Sequence, residues 1–225
     1  MKSQDIFLLL KLISLSQQEK GIPIFLKSKW EDWEEPEKYR LTQSTAVNFD
    51  LEEIPVHLRT NKTVQDSIAA QYSVRALADS TGISKSEVSL ALQRCFEIGL
   101  AKPDRFAGIP RVNQKALGEF IIHGLRYVYP ARPAEITRGI ATAWAAPALK
   151  DLVMSAGEMV PVWPDAHGNT IGQAVAPLFK SVPVAVRKDA RLYSLLALTD
   201  AIRIGQPRER IIAIKKLESM LQDTK

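Results

Sequence analysis

Hydrophobic and polar positions repeat in three different ways along this chain, and each predicts a different element. From Ile6 to Leu15 the run IFLLLKLISL is apolar almost all round. With Ser3 as cap it predicts a helix from about Gln4 to Leu15. Ile6, Leu9, Leu10 and Ile13 form one stripe, while Phe7, Leu8, Leu12 and Leu15 place apolar surface on the other side. Such a helix is either buried on several sides or shared with a second chain, and burial is the simpler expectation.

The stretch Tyr72–Ile98, YSVRALADSTGISKSEVSLALQRCFEI, reads as a short helix, a glycine turn and a longer second helix. Val74, Leu77 and Ala78 share one face of the first helix. Gly82 supplies a backbone free to take φ > 0, and Ile83 is an apolar plug. Ser84 and Glu87 have the S-x-x-E spacing of a capping box, ahead of an inward stripe of Val88, Ala91, Leu92 and Cys95. Gly99 is a candidate helix stop. Leu100–Lys102 and Pro110–Val112 then read as two short strands around a Pro103-Asp104 turn.

Further on, Asn113 caps NQKALGEFIIHGLRYVY, whose Ala116, Leu117, Phe120, Ile121, Gly124 and Leu125 form a broad apolar face. Pro130 and Pro133 end that helix and mark a domain boundary near residue 130. Residues 130–186 hold seven of the thirteen prolines, so extended backbone dominates there. Within them, Val160–Trp163 and Ile171–Val175 flank a polar turn and predict a β-hairpin. Lys188–Ile204 predicts an amphipathic helix with Leu192, Leu195, Leu196, Thr199 and Ile202 on one side. Gly205 and Pro207 break it before a final helix over Arg208–Gln222. The expected fold is therefore mainly α with small β elements (α+β), ending in a helical hairpin.

Residues 16–71 fit this scheme least. They predict short strands around Ile22–Leu26 and Thr45–Phe49 and a helix near Val64–Ala70. They also carry KSKWEDWEEPEKYR, with Trp30, Trp33 and Tyr39 among five acidic residues between Glu31 and Glu37. A segment this long is an insertion, and its tryptophans either pack inward or grip a basic partner.

Composition narrows the partner more than the fold. The chain has 225 residues, 46% hydrophobic and 24% charged, with a net charge of +5. Residues 1–72 carry nine basic against eleven acidic side chains (−2), residues 73–132 nine against five (+4), and residues 133–225 twelve against nine (+3). The positive bias thus falls on the helix–turn–helix segment and beyond, as a phosphate-binding surface requires. One cysteine excludes an intramolecular disulfide framework, and no Cys/His set has zinc spacing. Ile6–Leu15 is too short to span a bilayer and contains Lys11, so a cytoplasmic protein without a membrane segment is expected.

The order RALADSTGISKSEVSLALQRCFEIGLA followed by a turn-rich hairpin resembles bacterial winged helix-turn-helix transcriptional regulators, MarR-like in the DNA-binding core only. The resemblance covers about Tyr72–Val112, and Ser3–Leu15 loosely. It implies a DNA-binding domain over residues 1–129, with the insertion at about 16–71. A dimerisation, effector or partner domain would follow over residues 130–225. It further implies that the second helix enters the major groove through Ser84, Lys85, Ser86, Ser89, Gln93 and Arg94. Arg105 and Arg111 on the wing would meet phosphate or the minor groove. Double-stranded DNA, a homodimer and a small-molecule effector or protein partner are the corresponding expectations. The alternative is a protein-interaction module, such as an antitoxin-like partner of another protein.

No catalytic constellation emerges, so the chain is not expected to be an enzyme and no cofactor or metal is implied. Cys95 lies on an inward stripe, His123 is mid-helix, and His57 and His167 lack a Ser or Asp partner. Asp165 and His167 are explained by turn chemistry. Arg138, Trp144 and Trp163 form a weaker candidate set for a ligand or partner, set against ordinary packing.

Overall fold

The computed structural model describes residues 1–22, 32–33, 67–105, 108–149, 152 and 159–222. The strands expected near residues 22–26 and 45–49 fall almost wholly outside these residues. Of the helix expected near 64–70, residues 67–71 are described and helical.

Helix α1 (Ser3–Glu19) is buried on all sides from Gln4 to Leu15, as its all-round apolar pattern requires. It begins at Ser3 itself, so the cap falls one residue earlier than expected, on Lys2. Lys2 N donates to Asp5 Oδ2 at 2.7 Å and Asp5 N donates to Lys2 O at 3.0 Å, so an acidic side chain in the first turn takes the capping role from Ser3. The few polar side chains of α1 that are buried meet partners. Lys11 and Ser14 donate to Asp189 at 2.8 and 2.7 Å, and Gln17 donates to Met220 O at 2.7 Å.

Next come α2 (Val74–Thr81), α3 (Lys85–Glu97), and strands β1 (Ala101–Pro103) and β2 (Pro110–Val112). The strands pair antiparallel with Lys102 opposite Arg111. Helix α4 (Gln114–Glu119) passes through a π-helical turn (Phe120–Gly124) into α5 (Leu125–Val128). Leu125 N donates to Phe120 O across that wide turn. A Cβ at Gly124 would lie 3.2 Å from the Phe120 ring, which is why a glycine closes it.

Strands β3 (Ile136–Ala141), β4 (Pro161–Pro164) and β5 (Thr170–Ala174) form a small closed barrel. The hairpin expected between β4 and β5 does not form. Both strands run antiparallel to β3, and they pair parallel with each other, Pro161 opposite Gln173 and Val162 opposite Ala174. To make successive strands parallel, the connection at residues 165–169 must travel back across β3. It crosses where two glycines meet, since a Cβ on Gly168 would lie 2.1 Å from the carbonyl carbon of Gly139. Backbone approach this close is open only to residues without a Cβ.

Short helix α6 (Val182–Val186) leads to α7 (Ala190–Ile204) and α8 (Pro207–Gln222), which pack together across Gly205 and Gln206. The amphipathic reading of α7 is corrected: it is buried on every side from Leu192 to Arg203. Its polar residues close on each other and on the barrel. Arg203 donates to Asp200 at 2.6 Å, and Asp200 also accepts from Trp163 Nε1 at 2.6 Å and Thr142 Oγ1 at 3.1 Å. Helices α1 and α7 pack together at the centre, and α1 also packs on α3 and β2, so one continuous core crosses residue 130.

Candidate nucleic-acid interface

The turn between α2 and α3 is built from short side chains that satisfy helix ends. Ser73 Oγ accepts from Ala76 N at the start of α2. At its end Gly82 takes φ +70° and donates to Ala78 O at 2.8 Å. Thr81 Oγ1 accepts from Ile83 N, which seats the buried Ile83 plug. Ser84 then caps α3 by accepting from Glu87 N. Only half of the expected capping box forms, because the Glu87 carboxylate turns to α1. It pairs with Lys2 at 3.1 Å and takes a hydrogen bond from Gln4. Lys2 foremost, then Gln4, holds the Glu87 carboxyl below its usual value.

Val88, Ala91 and Cys95 point inward from α3, and Cys95 is fully buried. Burial pushes its thiol up to about 12, so it is a core residue. The helix ends at Gly99 (φ +73°), with Leu100 N donating to Cys95 O and Gly99 N to Phe96 O. These paired bonds stop α3 cleanly and launch β1.

The outer face of α3 presents Ser84, Lys85, Ser86, Ser89 and Gln93, all exposed. Ser84 and Ser86 hydroxyls lie 3.3 Å apart, Ser89 Oγ donates to Lys85 O, and Gln93 Nε2 donates to Glu97 Oε1 at 3.1 Å. Arg105 is exposed in the turn between β1 and β2. Two other arginines of the expected set are committed elsewhere. Arg94 donates through Nε and Nη2 to Asp5 at 2.9 and 2.6 Å, and Asp5 is fully buried. Arg111 donates twice to Glu19 at 2.6 and 2.8 Å and lies over the Tyr72 ring at 5.2 Å. Their hydrogen-bonded carboxylates raise both guanidinium pKa values further. These side chains fasten α3 and β2 to α1.

Three further side chains near the turn in sequence are exposed and were not among the expected contacts: Arg75 on α2, Leu90 on α3 and Lys102 on β1. Leu90 was legible, since its position lies off the Val88–Ala91–Cys95 stripe.

The weaker set lies on β3, β4 and the turn after β3. Trp163 is 1% exposed and bound to Asp200, Arg138 Nη1 donates to Gly168 O on the barrel, and Trp144 is half-buried in the 3₁₀ turn Ala143–Ala145. Two clefts of about 320 and 370 Å³ lie elsewhere, one between α1, β2 and α4, the other between α4 and α8. His167 N donates to Asp165 Oδ1 at 2.8 Å, the turn chemistry expected there. Among the described residues there is no group of three or more potential metal ligands and no helix long and apolar enough to cross a membrane.

Compared with known proteins, the chain matches no family model, no curated protein and no solved structure.

Proposed function

We propose that this chain is a sequence-specific, double-stranded DNA-binding transcriptional regulator. In this reading α2, Gly82 and α3 form a helix-turn-helix and β1–β2 is its wing. The outer face of α3 supports it most: a short-polar and basic surface at the N-terminal half of a helix whose opposite face is locked in the core. Lys85 donates to guanine O6/N7, Gln93 pairs with adenine, and the serines contact bases or phosphate. Arg105 meets the backbone or minor groove. A homodimer places two α3 helices in successive major grooves of a palindromic site.

A gel-shift series on genomic fragments at increasing salt tests the reading. Specific fragments should be retained above non-specific DNA. Arg105→Ala should reduce the slope of log affinity against log salt by about 1, and Lys85→Ala should relax the preference at one guanine by roughly 1–3 kcal/mol. Gln93→Ala should relax sequence preference by roughly 1–3 kcal/mol. No fragment preference at any salt would overturn it.

A second reading, a protein-interaction module, is favoured by one observation: part of the acidic-aromatic insertion is bound like a peptide to the small barrel. Affinity purification from the native host separates the two, since this reading requires a stoichiometric protein partner.

A further inference from the structure

Between β5 and α6 the chain makes a tight turn that lies against the Gly82 turn of the candidate interface. Val182 N donates to Phe179 O at 3.0 Å, which puts Lys180 and Ser181 at the two corner positions. Ser181 has φ −89° and ψ 0°, the values of the second corner residue of a type I turn. Both flanks of the turn are anchored. The Phe179 ring stacks on Phe7 of α1 at 6.3 Å, and Val182 is fully buried.

Ser181 joins this turn to the helix-turn-helix segment. Its Oγ donates at 2.5 Å to the carbonyl of Thr81, the residue before Gly82. A Cβ added to Gly82 would lie 2.8 Å from Ser181 Cβ, so the bare glycine lets the two turns touch. Lys180, the other corner residue, is exposed, and its ammonium makes no hydrogen bond or ion pair among the described residues. Its backbone is one residue, about 3.8 Å, from that of Ser181, and a flexible four-carbon stem carries the charge beyond it.

The charges around this contact favour an anion. Lys85 opens α3 three residues after Gly82 and is exposed. Glu87, the acidic residue of the first turn of α3, is drawn away to Lys2 and Gln4. Asp79 falls on the face of α2 opposite Thr81. We infer that Lys180 is a DNA-phosphate contact supplied by the C-terminal half of the chain, with Ser181 the positioning residue that holds it beside the start of α3. This rests on the DNA-binding reading above. A lysine on phosphate acts as a point charge that fixes register without reading sequence, so Lys180 complements Lys85 and Gln93.

The test is fluorescence anisotropy of the full chain over a salt series. The probes are a duplex retained in the gel shift and a scrambled duplex of the same length. Lys180→Ala should reduce the slope of log affinity against log salt by about 1 on both duplexes. The affinity ratio between the duplexes should stay unchanged, and Lys180→Arg should keep the original slope. Lys215→Ala, an exposed lysine on α8, should leave slope and affinity as they were. Ser181→Ala should weaken both duplexes in the original background and add nothing in the Lys180→Ala background, the non-additivity of residues that act as a unit. Circular dichroism and urea midpoints establish that each variant folds; Lys180 is exposed, so its arms stand whether or not Ser181→Ala does.

An unchanged slope for Lys180→Ala, or an equal loss for Lys215→Ala, would overturn the Lys180 contact while leaving the DNA-binding reading in place. Additive losses for Lys180→Ala and Ser181→Ala would overturn the positioning role. No binding of either duplex by the unsubstituted chain would overturn the DNA-binding reading and this contact with it.

Discussion

Arg94 on α3 grips the fully buried carboxylate of Asp5 on α1 with two hydrogen bonds, at 2.9 and 2.6 Å. The pair fixes the rotation of α3 about its own axis, and with it the residues on its outer face. The two partners differ in exposure, since the Arg94 side chain keeps 24% while Asp5 keeps none. Removing Arg94 therefore strands a buried charge, whereas removing Asp5 leaves an arginine that reaches water. Arg94→Ala should cost about 3–5 kcal/mol and Asp5→Asn about 1–3 kcal/mol. Urea midpoints read the order directly, and an equal or reversed order would remove this account of α3 positioning.

Glu19 makes the attachment of strand β2 to α1 pH-dependent. The hydrogen bond from Arg111 holds its carboxyl below the usual 4.5, with Tyr72 assisting and burial opposing. A depressed folded value means that the stabilisation is fully present above about pH 4.5 and is lost as pH falls through the folded value. Unsubstituted protein and Glu19→Gln should therefore differ in stability at pH 7 and converge at lower pH. A difference that persists unchanged at pH 3 would contradict the ion pair as its source.

Cys95 should report opening of the α1–α3 contact. The thiol is buried and pushed up to about 12, chiefly by burial and then by the Asp5 charge. At pH 8 the folded protein should leave it unreacted with a disulfide reagent, while urea should expose one thiol per chain. Rapid reaction in native buffer would mean that α3 opens far more readily than its packing implies.

Gly82 and Gly99 both take positive φ, yet they should not tolerate alanine equally. A Cβ at Gly99 meets nothing within 4 Å, whereas one at Gly82 would lie 2.8 Å from Ser181 Cβ. Ser181 is itself tied down, donating to Thr81 O at 2.5 Å. Gly99→Ala should cost about 1 kcal/mol from backbone strain alone, and Gly82→Ala about 2–3 kcal/mol because α6 must also move. Thermal melts of the two variants compare them, and similar losses would show that the turn does not rest on Ser181.

Local chemistry was legible in residues that act on their own neighbours. The αL glycines at 82 and 99, the Ser84 and Asn113 caps, the inward Val88–Ala91–Cys95 stripe and the Asp165 turn all rest on interactions within a few residues. The same holds for β1 and β2, whose register follows from a short connection. The residue types of the proposed reading face were equally visible, because helical periodicity alone separates them from the core stripe.

Long-range pairing was a different matter. Nothing in the spacing of Arg94 or Arg111 says that Asp5 and Glu19 will claim their guanidinium groups, 89 and 92 residues away in sequence. Burial of α7 on all sides was equally hidden, since Asp200 and Arg203 read as surface charge until they meet Trp163 and Thr142. The parallel β4–β5 pair required Gly168 to cross Gly139, a contact between strands that local turn rules read as a hairpin. From the sequence alone came the ends of α2 and α3 and their inward stripes, because capping side chains, αL glycines and helical periodicity act within one or two turns. Only the tertiary structure decided which charges are spent on holding the fold, how the barrel strands pair and where Asp32 and Trp33 dock, because each depends on groups brought together by packing of distant elements.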